Sequence, residues 1–246
     1  MGRITETDVE WVKSFYPGLR MAGTNTLYGH LRFGAAYGGK ANKKMWVYHH
    51  RPHDPSNIPG EHLEDVYKVK IVLEENDPVP QAWEVGGRLK TQAEIMDKPL
   101  ADLHMFEDES LCLGNPVKIR ADMLRNSSIS NYFEKWLIPY LYYQSHLEKL
   151  GCEPWPGLSH GQIGILEDFA NVDGVDFDNN MAEAFSHCQP SLLQKISASK
   201  SSRDGYRPND KCICGSGTKF MRCHSRAWLG YKKLRENLFR KQLLSQ

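Results

Sequence analysis

The stretch Lys211–His224 constrains this chain more than any other. It reads Lys-Cys-Ile-Cys-Gly-Ser-Gly-Thr-Lys-Phe-Met-Arg-Cys-His. Zinc takes four nitrogen or sulfur ligands in a tetrahedron. Cys212 and Cys214, one residue apart, can grip a metal from a single tight turn. Gly215 and Gly217 let the chain reverse, and Cys223 and His224 close the shell. Unrelated buried thiols do not gather this way, with glycines between them and a histidine at the end. Four protein ligands make a closed, structural Zn2+ site rather than a catalytic one. Iron is the weaker alternative, because histidine is among the ligands. Folding of so small a knuckle is expected to be coupled to metal binding.

The chain as a whole is ordinary for a soluble globular protein: 246 residues, 40% hydrophobic, 25% charged, net charge +1. That charge gives no global reason for nucleic-acid or membrane binding. No apolar run approaches a bilayer span. Met1–Glu10 is polar and partly acidic, unlike a signal or transit peptide, so the expected location is the cytoplasm. Thiols stay reduced there, and the dispersed Cys112, Cys152 and Cys188 are not read as disulfides.

Periodicity predicts a short helix over 7–16, capped by Thr7 or Asp8, and strands over 27–39 (bent at glycine), 45–49, 65–73 and 82–85. In 65–73 the face formed by Tyr67, Val69, Ile71 and Leu73 is fully apolar and should meet the core. Residues 110–113 are a short apolar segment. A long helix over 129–150 ends at Gly151, with Pro139 expected to kink or split it. After an acidic loop at 171–180 come modest helices over 181–198 and a polar linker at 199–210. A terminal helix over 226–244 carries Arg226, Lys232, Lys233, Arg235, Arg240 and Lys241 on a basic face. Its apolar face holds Trp228, Tyr231, Leu234, Leu238 and Leu243. A packed or solvated helix is favoured there over binding of an acidic partner such as RNA. His49-His50-Arg51-Pro52-His53 lacks metal-ligand geometry and reads as a solvated loop.

The knuckle, from Asp210 to Ser225, resembles the SEC-C motif. That zinc motif ends the bacterial secretion ATPase and is appended to many other bacterial proteins. The resemblance implies a zinc-stabilised surface that contacts protein or ribosome. It does not say what the host protein does.

The other candidate is Cys112. It sits in Leu111-Cys112-Leu113, after Glu107-Asp108-Glu109-Ser110 and before Gly114-Asn115-Pro116, with His104 eight residues upstream. A lone cysteine between leucines is by itself a core residue. The order of features around it resembles the shortened bacterial members of the ubiquitin-conjugating family. The matching parts are the 7–16 helix, Leu27–Phe33, Tyr67–Leu73, Pro78/Pro80, His104, Cys112 and the Tyr132–Leu150 helix with Trp136. Trp155 and His160 follow. The resemblance covers about residues 7 to 168. It implies that an activating enzyme passes the C-terminus of a ubiquitin-like protein to Cys112 as a thioester, for transfer to an amine on a target protein. The implied setting is antiphage defence. His104 is implied to support the site, by bracing the loop or moving a proton. The family's asparagine, two residues after the histidine, is absent: here the sequence is His104-Met105-Phe106. Asn115, His160 or backbone N–H groups are the substitutes. An inactive, protein-binding adaptor is the alternative, and a cysteine hydrolase pairing Cys112 with His104 or His160 ranks third.

The expected architecture is α+β: an antiparallel four-stranded sheet with flanking helices over 1–168, a helical linker segment over 169–210, and a small helical zinc-knuckle module over 211–246. No membrane partner is expected.

Overall fold

The structure, a computed structural model, describes residues 4–39, 44–48, 58–170, 177–199 and 203–244, the last five by backbone alone. In chain order the elements are α1 (Glu6–Phe15), β1 (Leu19–Met21), β2 (Thr26–Tyr37), β3 (Met45–Tyr48), β4 (Glu61–Val72), β5 (Gln81–Glu84) and α2 (Arg88–Met96). A 3-10 turn (Leu100–Leu103) follows, then α3 (Pro116–Arg125), α4 (Ile129–Tyr132), a π turn (Phe133–Leu137) and α5 (Ile138–Leu150). The chain ends with α6 (Gly161–Ala170), α7 (Asn179–Cys188), α8 (Pro190–Ser197), α9 (Phe220–Cys223) and α10 (Ser225–Leu244). Two compact units form. One holds Met1–Gly114 and Asn126–Pro156; the other holds Asn115–Arg125 and Gly157–Gln246.

The first unit is α+β, with an antiparallel open sheet and flanking helices. Among the described residues the sheet has five strands rather than the expected four, in the order β1-β2-β4-β5, with β3 paired to β2. The extra strand, β1, is three residues long, too short to show alternation in the sequence. Glycines let it approach β2. Gly29 has φ +143°, and a Cβ there would lie 2.2 Å from the Gly18 carbonyl oxygen. The long β2–β4 ladder runs from Thr26↔Val72 to Tyr37↔Glu61. Its register buries Tyr67, Val69 and Ile71, the face that the alternation marks as apolar.

Beyond β5, the outer edge of β4 would expose carbonyls. Lys68 O instead accepts the Val85 amide at 2.8 Å. Val66 O accepts from Arg88 at 3.1 Å, and Glu64 O from Lys149 at 3.0 Å. These bonds blunt the edge.

Helix α1 starts earlier than Thr7. Thr5 caps it, accepting from the Asp8 amide at 3.1 Å while Asp8 accepts from the Thr5 amide at 3.1 Å. The 129–150 segment is divided just ahead of Pro139, where α4, the π turn and α5 follow one another. The chain widens into one π turn just before the proline, closed by the Ile138 amide on Phe133 O. Proline then falls within the first turn of α5, where no N–H is required. Gly151 ends α5 at φ +71°.

The second unit is helical. Leu166, Phe169, Phe185, Leu192, Phe220, Tyr231 and Leu234 share its core with Val117 and Ala121 of α3. Gly230 makes the packing of α10 on α6 feasible, since a Cβ there would lie 1.7 Å from Leu166 O. Part of the basic face of α10 is used internally. Lys233 donates to Ala170 O at 2.8 Å, at the end of α6, and Arg235 to Ala198 O at 2.7 Å, just past α8. Cations at helix C-termini satisfy open carbonyls and the negative end of the dipole.

The His49–His53 cluster and the side chains of Arg240, Lys241 and Leu243 lie outside the described residues. Among the described residues, no helix is long and apolar enough to cross a membrane.

Candidate functional site

The knuckle is a small hairpin feeding a helix. An antiparallel bridge joins Lys211 to Lys219. The Cys212 amide donates to Thr218 O at 2.8 Å, and the Gly215 amide to Cys212 O at 3.1 Å. Gly215 and Gly217 adopt φ +81° and +75°, left-handed values that favour glycine. Phe220, 1% exposed, then drives α9 into the helical core, where it meets Tyr206 and Trp228 edge-on. The turn of α9 carries Cys223 and His224 back to the hairpin.

The four ligand atoms of Cys212, Cys214, Cys223 and His224 lie within 4.8 Å of one another. Cys212 Sγ is 3.2 Å from His224 Nδ1, and Cys214 Sγ is 3.6 Å from Cys223 Sγ. Tetrahedral zinc, with bonds of about 2.3 Å to sulfur and about 2.0 Å to nitrogen, implies S···S edges near ~3.8 Å and S···N edges near ~3.5 Å. The donor set fits such an ion. The sulfurs are not equivalent: Cys212 is buried, Cys223 is half-buried and Cys214 is exposed. Hydrogen bonds from Ser216 hold the Cys214 thiol down, at about 6. Burial pushes Cys212 up, to about 11, so this ligand must lose its proton to the metal. Ser216, whose Oγ lies 3.2 Å from Cys223 Sγ, is a participant that ligand spacing alone does not reveal. Its position between the two glycines of the turn was the available signal.

Cys112 sits at the end of a second, separate hairpin. Met105 and Leu111 form an antiparallel bridge, and Ser110 bridges to Trp83 of β5. The Phe106 amide donates to Ser110 O, and the Glu109 amide to Phe106 O, both at 2.9 Å. Asp108 braces the turn, accepting from the Ser110 hydroxyl at 2.6 Å and the Ser110 amide at 3.0 Å. The Cys112 amide donates to His104 O at 2.8 Å. The structure therefore joins Cys112 to His104 through the backbone. The His104 ring packs edge-on against Tyr143, with centroids 5.9 Å apart, on a left-handed backbone of φ +56°.

Helix α5 fixes that strained step. Leu103 O accepts from Tyr140 at 2.9 Å and from Gln144 at 2.8 Å. Neither tyrosine nor glutamine stands out in the sequence as a site residue. The only hint was a buried glutamine on an otherwise apolar helical face.

Cys112 is half-buried, and its Sγ lies 3.9 Å from Gly114 O. Burial pushes its thiol above the ordinary range. Gly114 has φ +141°, and a Cβ there would lie 4.0 Å from the Trp136 ring, which the π turn presents.

Two of the expected oxyanion substitutes belong to the other unit. Asn115 is committed: its amide donates to Asp168 at 3.0 Å and Ile165 O at 3.4 Å, and its oxygen accepts from the Val117 amide at 3.1 Å. It caps α3. His160 is exposed and immediately precedes α6.

The class of site is clear first from geometry: a compact Cys3His group able to hold a metal ion. Comparison with family models then matches residues 209–226 to the SEC-C motif, a small part of the chain. No curated protein and no solved structure matches significantly.

Proposed function

We propose that this chain is a ubiquitin-like conjugating protein. In this reading Cys112 carries the C-terminus of a ubiquitin-like modifier as a thioester, and Zn2+ on Cys212, Cys214, Cys223 and His224 stiffens a protein-contacting tail. The observation that carries the reading is Cys112 itself: half-buried at the end of a hairpin beside an antiparallel sheet, with its amide pinned by His104 O. The π turn bearing Trp136 beside Gly114 adds support, because such turns gather at functional sites.

The chemistry asks little of the thiol. Cys112 attacks the carbonyl of an incoming thioester, the donor thiol leaves with the proton, and an amine later displaces Cys112. What the protein supplies is position, through the His104 carbonyl and the Leu103 anchor. Burial raises the Cys112 thiol, so in exchange as in hydrolysis the proton has to leave as the sulfur attacks. The cysteine-hydrolase reading ranks third, because the bond between Cys112 and His104 runs through the His104 backbone carbonyl. With Asn115 engaged elsewhere, the oxyanion donor is a backbone N–H. Partners would be an activating enzyme, the modifier and a target protein, in the defence setting that the family resemblance implies.

The test is to incubate the zinc-loaded chain with a candidate activating enzyme, its ubiquitin-like protein and ATP. A thiol-reducible adduct absent from Cys112→Ala is expected. An adduct that persists in Cys112→Ala, or none with modifiers encoded beside the gene, removes the reading. A second reading, an inactive adaptor, draws on His104-Met105-Phe106 lacking an amide and on the commitment of Asn115. It wins if Cys112→Ala keeps biological activity while Cys212→Ser loses it.

A further inference from the structure

The knuckle is asymmetric in a way that bears on oxidation, and the inference rests on the reading that it holds zinc. Its ligands divide into two pairs. Cys212 and His224 make one, 3.2 Å apart, with Cys212 buried. Cys214 and Cys223 make the other, 3.6 Å apart, one exposed and one half-buried. The accessible pair spans the hairpin, whereas Cys212 and Cys214 stand one residue apart on the same turn, a poor spacing for an unstrained disulfide. The frame beneath is held by groups other than the ligands: the Phe220 amide on Asp210 O at 2.8 Å, the Met221 amide on Pro208 O at 3.1 Å, and the buried Phe220 ring.

We propose that the knuckle is a peroxide-sensitive metal site in which Cys214 and Cys223 are the reactive pair. The Cys214 sulfur attacks one peroxide oxygen. The O–O bond breaks, a sulfenic acid forms and the other oxygen leaves as water after protonation. Cys223 then attacks the sulfenic sulfur, the S–O bond breaks, a second water leaves and the disulfide forms. Two electrons pass from the two sulfurs to one peroxide. The metal keeps only Cys212 and His224, too few to hold it, and is released. Because Phe220 and its backbone bonds remain, the helical frame persists, and reduction with zinc present restores the site.

The experiment uses the full chain loaded with zinc, its metal content measured beforehand. Hydrogen peroxide is titrated in while a chromogenic chelator reports released zinc. Unreduced peptides are then mapped by mass spectrometry. Release of bound zinc in step with a Cys214–Cys223 disulfide is expected, with retained helical circular dichroism and recovery on adding thiol and zinc. Zinc retained at peroxide levels that fully oxidise the exposed Cys152 overturns the proposal, as does a disulfide formed through Cys212. A chain that takes up no zinc at the outset overturns the metal reading itself, and the two failures are distinguishable.

Discussion

The two cysteine sites of this chain are built by opposite means. In the knuckle every ligand and nearly every framing bond comes from residues 208–224, and a single buried ring, Phe220, ties the turn to a core. Around Cys112 the hairpin over 104–112 is local, but what anchors it is not. Its amide needs His104, eight residues back, whose left-handed backbone follows a carbonyl held by Tyr140 and Gln144 from α5. Its hairpin leans on β5 through Trp83. Dense local chemistry can be specified by a short peptide. A single reactive thiol has to be specified by a whole fold.

The comparison breaks most visibly at the knuckle. Cys212→Ser should lower bound zinc from about one ion per chain to near none, since structural zinc binding is worth roughly 10–16 kcal/mol in small domains. Elemental analysis checks it, and retention of zinc would show that the ligands are not those four. Phe220→Ala removes a ring 1% exposed and should cost the helical unit about 3–5 kcal/mol, read from denaturant midpoints. It should also weaken zinc binding although no ligand is touched. Unchanged affinity would mean the hairpin holds its geometry without that anchor.

The sheet unit answers with a smaller effect. Burial opposes ionisation of Asp65, but hydrogen bonds from Arg88, Lys149 and Ser145 outweigh it and hold the carboxyl well below its usual range. Arg88 grips both Asp65 oxygens at 2.8 Å, and it also pairs with Glu148. A folded value below the unfolded one gives stability that is fully present above about pH 3.9 and drains away as pH falls through the folded value. Asp65→Asn should therefore cost about 1–3 kcal/mol near neutrality, below the full figure for a buried pair because Arg88 is partly solvated. The melting temperatures of the two forms should converge in acid. Parallel curves at every pH would mean the pair does not titrate with folding.

What the sequence revealed follows the same division. The ligand set Cys212, Cys214, Cys223 and His224 was legible because spacing and glycine turns carry the whole geometry, and the structure brings those atoms within 4.8 Å. The apolar face of β4 was legible from alternation. The three-residue β1 was not, because no period shows in three residues, and its pairing depends on Gly18 and Gly29 meeting across strands. Helix α2 opens on Gly87 with no side-chain cap, so its start carries no signal. Helix α3 starts at Pro116, close behind Cys112, yet counts among the helical unit, a long-range choice that no local pattern encodes. The polar anchors Tyr140 and Gln144 were hidden for the same reason: their partner is a backbone carbonyl some forty residues away in sequence.

The smallest effect probes that hidden anchor. Tyr140→Phe removes one of two donors to Leu103 O, leaving Gln144 in place. The cost to stability should be about 1 kcal/mol, the worth of one hydrogen bond whose acceptor keeps another partner. Its informative consequence is at Cys112. Because burial raises that thiol, its alkylation by iodoacetamide should rise with a midpoint above the unperturbed value of about 8.5. Loosening the Leu103–His104 step should let water reach the sulfur and move the Cys112 midpoint down toward that value. A midpoint that does not move, despite the lost stability, would mean that the hairpin alone positions the thiol and that α5 is only packing against it.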